Sequence, residues 1–266
     1  AVEAGKPIDE PTNIEVICVD AETLVSQRAR MRMKNVCVYD DGRGMDSRTL
    51  RMALQFGNGT HLREESQTGI GKFGMGLPNS SISQCQRVDV YTWQQGHCIH
   101  SYLDIQQIRD GAQKHVPEPT HAEIPGELRE LIHSELRPHG TLVVWSKLDR
   151  MKWKGSNAFL RNAEFLVGRM YRYFIAEGSV RIRLAAYESL PLGTDLKHEA
   201  YVRPNDPLGL MSGTLAPGRW SDESPFVQVG EDQIIPVTYD GKSHDVRLRF
   251  SICRPEVRLE GGNSAI

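Results

Sequence analysis

Residues 69–77 read Gly69-Ile70-Gly71-Lys72-Phe73-Gly74-Met75-Gly76-Leu77, and the reading of this stretch decides the fold. Closely spaced glycines let successive backbone N–H groups point into one concavity. A helix is expected directly behind them, over Leu77–Cys85, with Pro78 in its first turn, where a missing N–H is tolerated. The positive end of that helix and the charge of Lys72 would both favour a polyphosphate. A dinucleotide fingerprint would need a strand immediately before the glycines, whereas His61 to Thr68 is a polar loop. A P-loop would end in Gly-Lys-Ser/Thr, which is absent. A flexible hinge also accounts for the glycines taken alone.

Upstream, Gly57–Thr68 is polar and reads as a mobile loop. Before it, Asp40-Asp41-Gly42-Arg43-Gly44-Met45 follows a strand over Asn35–Asp40. An acid at a strand end can accept from an exocyclic amine such as adenine N6, and the glycines let backbone approach a flat ring. Taken singly, a plain Asp-Gly turn explains the motif as well. Asp46 or Ser47 suits a helix N-cap, with Leu50, Ala53 and Leu54 at helical spacing. Ile14–Val19 reads as another strand, joined to Asn35–Asp40 by the polar, basic stretch Ser26–Lys34 as an antiparallel hairpin.

Downstream, strands are expected over Arg87–Trp93 and Ile99–Leu103 around a turn at Gln94–Gly96, then over Thr141–Trp145 and Val180–Tyr187. Pro117–Pro125 reads as a loop, Glu127–His133 as a short helix and Asn157–Phe174 as a long amphipathic helix. His139-Gly140-Thr141 opens the third of these strands. A buried threonine hydroxyl there can share a water or a base edge with an acid on a neighbouring strand, although threonine is favoured in strands anyway. This order gives an α+β fold with helices over one face of a mainly antiparallel mixed sheet. After residue 190 prolines punctuate short extended pieces, and Val246–Ile252 reads as a strand. The expected organisation is therefore a nucleotide-binding domain over 1–190, then a linker and the start of a β-rich region over 191–266.

Bulk properties exclude several classes. The 266 residues carry a net charge of −2, with 39% hydrophobic and 25% charged residues, as in ordinary globular proteins. No apolar run approaches the roughly 20 residues that span a bilayer, and no signal peptide is visible, so no membrane partner is expected. Five cysteines without C-x-x-C spacing argue against a disulfide framework or a structural zinc. Cys18 and Cys37 read as reduced core residues, and a cytoplasmic location is the default.

The three motifs, in this order, resemble the GHKL superfamily of Bergerat-fold ATPases, whose members include gyrase B subunits, MutL, the large heat-shock ATPase chaperones, sensor histidine kinases and MORC proteins. The resemblance covers roughly residues 1–185 and implies a two-layer Bergerat sandwich. It also implies that Asp40 reads the adenine amine with help from Thr141 through water. Gly42, Gly44 and Met45 would line the adenine site. Asn58–Thr68 would form a lid, and Gly71, Lys72, Phe73, Gly74, Met75, Gly76 and Leu77 would hold phosphates. The implied cofactors are ATP and Mg²⁺, and the implied partners are ATP and a second copy of the chain. Ala1-Val2-Glu3-Ala4-Gly5 resembles the tail of the family's first box. The magnesium-binding Asn and general-base Glu of that box would then precede Ala1, so no catalytic residue is assigned. The reading is an ATP-binding, ATP-hydrolysing module in which lid closure drives conformational change or dimerisation. A histidine-kinase catalytic domain and a binding module without hydrolysis stay open beside it. Lys147, Arg150, Lys152 and Lys154 beside Trp145 and Trp153 suit nucleic acid by charge and stacking, but a short basic stretch is more often a solvated face.

Overall fold

A computed structural model describes residues 11–25, 28–56, 75–190 and 193–259. The chain divides into two compact units, Ala1–Asn162 with Gly178–Tyr201, and Ala163–Glu177 with Val202–Ile266.

The first unit is built on an eight-stranded sheet. In chain order the strands are β1 (Thr12–Val25), β2 (Arg28–Asp40), β3 (Cys85–Gln94), β4 (His97–Asp104), β5 (Thr120–His121), β6 (Gly140–Leu148), β7 (Val180–Leu190) and β8 (Gly193–Tyr201). Across the sheet they run β5-β4-β3-β6-β2-β1-β7-β8. Among the described residues only the β1–β7 pair is parallel, so the expected α+β class with a mainly antiparallel mixed sheet is what forms. Gln95 and Gly96 both take positive φ, the geometry of a two-residue hairpin turn between β3 and β4.

Strand alternation sorts the core onto two faces. One face carries Val88, Val90 and Leu103 and is covered by α1 (Ser47–Ala53) and α2 (Gly76–Ile82) through Leu50, Leu54, Leu77 and Ile82. Burying a leucine of this kind contributes about 1.5–3 kcal/mol. The other face carries Ile17, Val19, Tyr39, Leu142 and Val144, against which Leu131, Ile132 and their neighbours pack. Both faces are thus covered, where the sequence pointed to one. A short helix, α3 (Ile105–Arg109), follows β4, and the segment after α4 (Gly126–Arg129) supplies the apolar residues that close the second face.

The β1–β2 hairpin is longer than the sequence indicated. Arg28–Lys34 is strand rather than connection, because Arg28-Ala29-Arg30-Met31-Arg32-Met33 alternates charge with apolar residues at the two-residue strand period. The pairing of β1 with β7 ends at Asp20–Glu188, and that of β2 with β6 ends at Val36–Trp145. A register shift falls between Val19 and Asp20, where both neighbours leave. Beyond it the hairpin continues without them.

Three helix boundaries also differ. The short helix ends at Arg129, not His133. The helix behind the glycines ends at Ile82, and Cys85 already opens β3. The long helix is α5 (Ser156–Met170) followed by α6 (Arg172–Ala176), separated at Tyr171, which leaves helical geometry at φ −103° and ψ 12°. Cys18 and Cys37 are buried and unpaired as expected, and burial pushes the Cys37 thiol up to about 12. Among the described residues no helix is long and apolar enough to cross a membrane.

The second unit holds the end of α5, then α6, β9 (Phe226–Gln228) paired with β12 (Ser251–Cys253), β10 (Gln233–Tyr239) paired with β11 (Lys242–Leu248), and α7 (Pro255–Leu259). Val202, Trp220 and Val257 are its buried anchors. Gly168 lets α5 approach Arg203, because a Cβ would stand 2.4 Å from the Arg203 carbonyl oxygen. The β10–β11 turn is Asp240-Gly241 with both φ positive, and the single strand expected over Val246–Ile252 is divided between the end of β11 and the start of β12.

Candidate functional site

Asp40 ends β2, Thr141 is the second residue of β6 and Thr92 lies near the end of β3. The registers Asp40–Thr141 and Thr92–Thr141 put the three in one row across adjacent strands. Directly opposed residues share a face, so all three side chains project on the side covered by α1 and α2. The sequence did not single out Thr92, yet it is the hub. Its hydroxyl accepts from Met45 N at 2.9 Å, reaches the Gly140 carbonyl at 3.0 Å and lies 3.1 Å from the Thr141 hydroxyl.

The two successive aspartates part company at the strand end. Asp41 is fully buried and accepts from the Asn13 backbone N–H at 2.9 Å and from Asn13 Nδ2 at 2.8 Å, with Arg137 Nε at 3.7 Å. It fastens the loop to β1. Asp40 accepts from Gly42 N at 2.9 Å, which turns the loop back on the end of β2.

Two glycines are dictated by space. Gly44 has φ +67°, and a Cβ would lie 2.1 Å from the Trp93 carbonyl oxygen. At Gly140 a Cβ would lie 2.6 Å from Trp93 Cζ2 and 2.9 Å from the Asp40 carbonyl oxygen. Trp93 is the gauge for both. It stacks on Tyr39 with ring centroids 6.1 Å apart, and its indole N–H donates to Arg137 O at 2.8 Å. His139 Nδ1 faces the Gly42 carbonyl at 2.9 Å and the Asp41 carbonyl at 3.2 Å, so this nitrogen carries the proton and donates. Gln94 Nε2 adds a bond to Arg43 O at 3.1 Å. The Asp-Gly loop is therefore clamped by Arg137-Pro138-His139, a partner that no local motif announces.

That clamp is tied to the far face of the sheet. Glu15 and Arg183 form a buried ion pair at 2.7 Å. The two Glu15 oxygens also accept from His133 N at 3.1 Å and Ser134 N at 2.7 Å. Arg183 further meets Glu199 and the Tyr187 hydroxyl, which donates to Leu131 O. Residues 131–134 are thereby held immediately before the clamp. Fully satisfied buried charges of this kind fix a backbone position.

Helix α1 leaves the loop through its N-cap Asp46, which accepts from Thr49 N at 2.7 Å. The hydrogen bonds from Thr49, backbone first, hold the Asp46 carboxyl below its ordinary value. Helix α2 is seated on the same face by Trp145 Nε1, which donates to Ser81 Oγ at 2.9 Å. Leu77 packs into the core there, Met75 is exposed, and the Cβ position of Gly76 faces open space. Gly71, Lys72, Phe73, Gly74, the lid Asn58–Thr68 and Glu3 lie outside the described residues. So Asp40, Gly42, Gly44, Met45 and Thr141 are brought together, and of the glycine-rich stretch only its last three residues are placed, at the start of α2.

Residues 12–141 match the family described as histidine kinase-, DNA gyrase B-, and HSP90-like ATPase. Among solved structures, the chain is similar to the N-terminal domain of a DNA repair protein at 14% identity and a TM-score of 0.44, covering 90% of this chain and 61% of that one. It is also similar to the B-subunit of the DNA gyrase from Myxococcus xanthus at 13% identity and a TM-score of 0.41, covering 88% of this chain and 55% of that one. The chain thus spans less than two thirds of either. No curated protein matches it.

Proposed function

We propose, from the match of residues 12–141 to the histidine kinase-, DNA gyrase B-, and HSP90-like ATPase family, that Asp40 and Thr141 read the adenine of ATP. The observation that carries this is the hydroxyl bookkeeping at Thr92. A threonine hydroxyl has one proton and two acceptor positions. At Thr92 the proton goes to the Gly140 carbonyl, and one lone pair receives Met45 N. Thr141 must therefore donate to Thr92, which leaves Thr141 Oγ1 as an acceptor beside Asp40. A water held by Thr141 can then donate to the ring nitrogen N1, while Asp40 accepts from the exocyclic N6 amine. Guanine presents a carbonyl in place of that amine and meets a carboxylate, so the row selects ATP over GTP.

In this reading Gly42 and Gly44 bring the backbone close to the ring, and Met45 packs against it. Gly71 to Leu77 receives the phosphates with Lys72, and Asn58–Thr68 closes over them. ATP turnover, Mg²⁺ and nucleotide-driven pairing of two copies complete the proposal. Among the described residues no three His, Cys, Asp or Glu side chains gather as a metal site. The residues that would hold Mg²⁺ and activate water are left unassigned.

The test is a titration of ATP and of GTP, each with Mg²⁺, into the wild-type protein and Asp40→Asn. A hydrogen bond to a charged group contributes about 1.5–3 kcal/mol. At about 1.4 kcal/mol per tenfold, Asp40→Asn should weaken ATP by roughly ten- to a hundred-fold and erase the preference over GTP. Equal ATP affinity in both proteins would sink the assignment.

A further inference from the structure

We propose that the projecting half of the β1–β2 hairpin is a docking surface for the phosphate backbone of a nucleic acid. The register is continuous from Asp20–Met33 to Val25–Arg28, so strand alternation puts Arg28, Arg30 and Arg32 on one face. Their cross-strand neighbours on that face include Thr23 opposite Arg30 and Ala21 opposite Arg32. The acids of β1 fall on the other face, where Glu22 opposes Met31 and Asp20 opposes Met33. Arg28 and Arg30 are exposed and Arg32 is half-buried.

A second basic element is docked onto this one. Met33 N donates to Lys154 O at 3.0 Å, which fixes the segment Met151-Lys152-Trp153-Lys154 against β2. Between them lies a cleft of about 620 Å³ lined by Arg32, Lys34, Lys147 and Lys154, without a carboxylate in its wall. Asp104 neutralises Lys147 at 2.9 Å. Among the described residues Arg28, Arg30, Arg32, Lys34 and Lys154 have no carboxylate partner. Lys152 lies over the Trp153 ring at 5.3 Å, so an aromatic surface stands beside the cations.

Charged residues on an unpaired strand edge also discourage aggregation. That accounts for charge, but not for its confinement to one face with the acids on the other. Alternate strand residues repeat at about 6.8 Å, so three guanidiniums cover about 14 Å of a ribbon. Duplex DNA presents one phosphate charge per about 1.7 Å of axis, so such a row meets several phosphates in any register. An arginine fork matches phosphate geometry, and a two-stranded ribbon is narrow enough for a major groove. A membrane surface fits less well. The large exposed apolar residues Leu24 and Met31 lie on the acidic face, so the basic face has nothing to insert.

The test is fluorescence anisotropy with a labelled single-stranded oligonucleotide and the matching duplex. It compares the wild-type protein with the triple variant Arg28→Ala, Arg30→Ala, Arg32→Ala and with the corresponding triple Arg→Lys. Wild type should bind one or both probes with affinity falling linearly in log salt. The alanine variant should bind at least tenfold more weakly, with a salt slope shallower by about 2–3, and the lysine variant should retain most of the binding. Far-UV circular dichroism and ATP affinity should match wild type in both variants, which separates this surface from the adenine row. No binding by wild type, equal binding by the alanine variant, or stronger binding to phosphatidylserine vesicles or polyglutamate would overturn the proposal.

Discussion

The two halves of the β1–β2 hairpin share one pair of strands and differ in almost everything else. In the inner half, Thr12–Asp20 and Val36–Asp40 are flanked by β7 and β6, and Ile17, Cys18, Val36, Cys37 and Tyr39 are at most 1% exposed. In the outer half both neighbours have left, and Arg28 to Met31 are exposed. The same alternation therefore yields core on one side of the register shift and a charged ribbon on the other. Burial is conferred by neighbouring strands, not by the strand's own sequence. The inner half ends in Asp40 and carries the row proposed here to read adenine, and the outer half carries the proposed docking face.

The sharpest way to break this contrast is to remove a buried charge from beneath the inner half. Arg183→Ala leaves Glu15 buried without its partner and releases the segment before the clamp. It should cost about 3–5 kcal/mol in urea unfolding, whereas the outer Arg30→Ala should stay within about 0.5 kcal/mol of wild type. Comparable losses in the two variants would mean that the halves are not distinct. Next in size is Gly44→Ala. It forces a Cβ toward the Trp93 carbonyl in a left-handed conformation and should cost about 2–4 kcal/mol together with ATP affinity. If its stability and nucleotide titration match wild type, the loop is not clamped as described.

The smallest effect concerns Asp46. Its carboxyl is lowered in the folded protein by the Thr49 hydrogen bonds. Its contribution is therefore complete above the ordinary aspartate value and lost as pH falls through the lowered one, in the acidic range below about 4. Asp46→Ala should cost about 1 kcal/mol at pH 7, while Asp46→Asn keeps the cap and removes its pH dependence. An unchanged acid profile in Asp46→Asn would show that other carboxylates carry it.

The sequence identified the strand carrying Asp40, the helix capped by Asp46, the β3–β4 hairpin and the strand opened by Gly140-Thr141. Each is a local pattern: two-residue alternation, an N-cap, a glycine turn. It did not identify Thr92, Trp93 or the Glu15–Arg183 pair and gave His139 no role beside Gly140-Thr141, since a lone threonine, histidine or tryptophan in a strand or loop has no local signature. Ser26–Lys34 reads as a connection by its charge, whereas the alternation from Arg28 onward is what the sheet pairs as strand.

Chemistry that needs only backbone freedom and near neighbours was thus written in the sequence itself: the glycines at 42, 44, 69, 71, 74, 76 and 140, the acid at a strand end, the helix starts. Only the tertiary structure decided which of two adjacent aspartates is buried against Asn13, which threonine sets the hydroxyl order of the row, and where the hairpin leaves the sheet. Those outcomes depend on strands brought together from residues 13, 40, 92 and 141. Their separation along the chain hides the pairings from any short window, and only closing the sheet makes them neighbours.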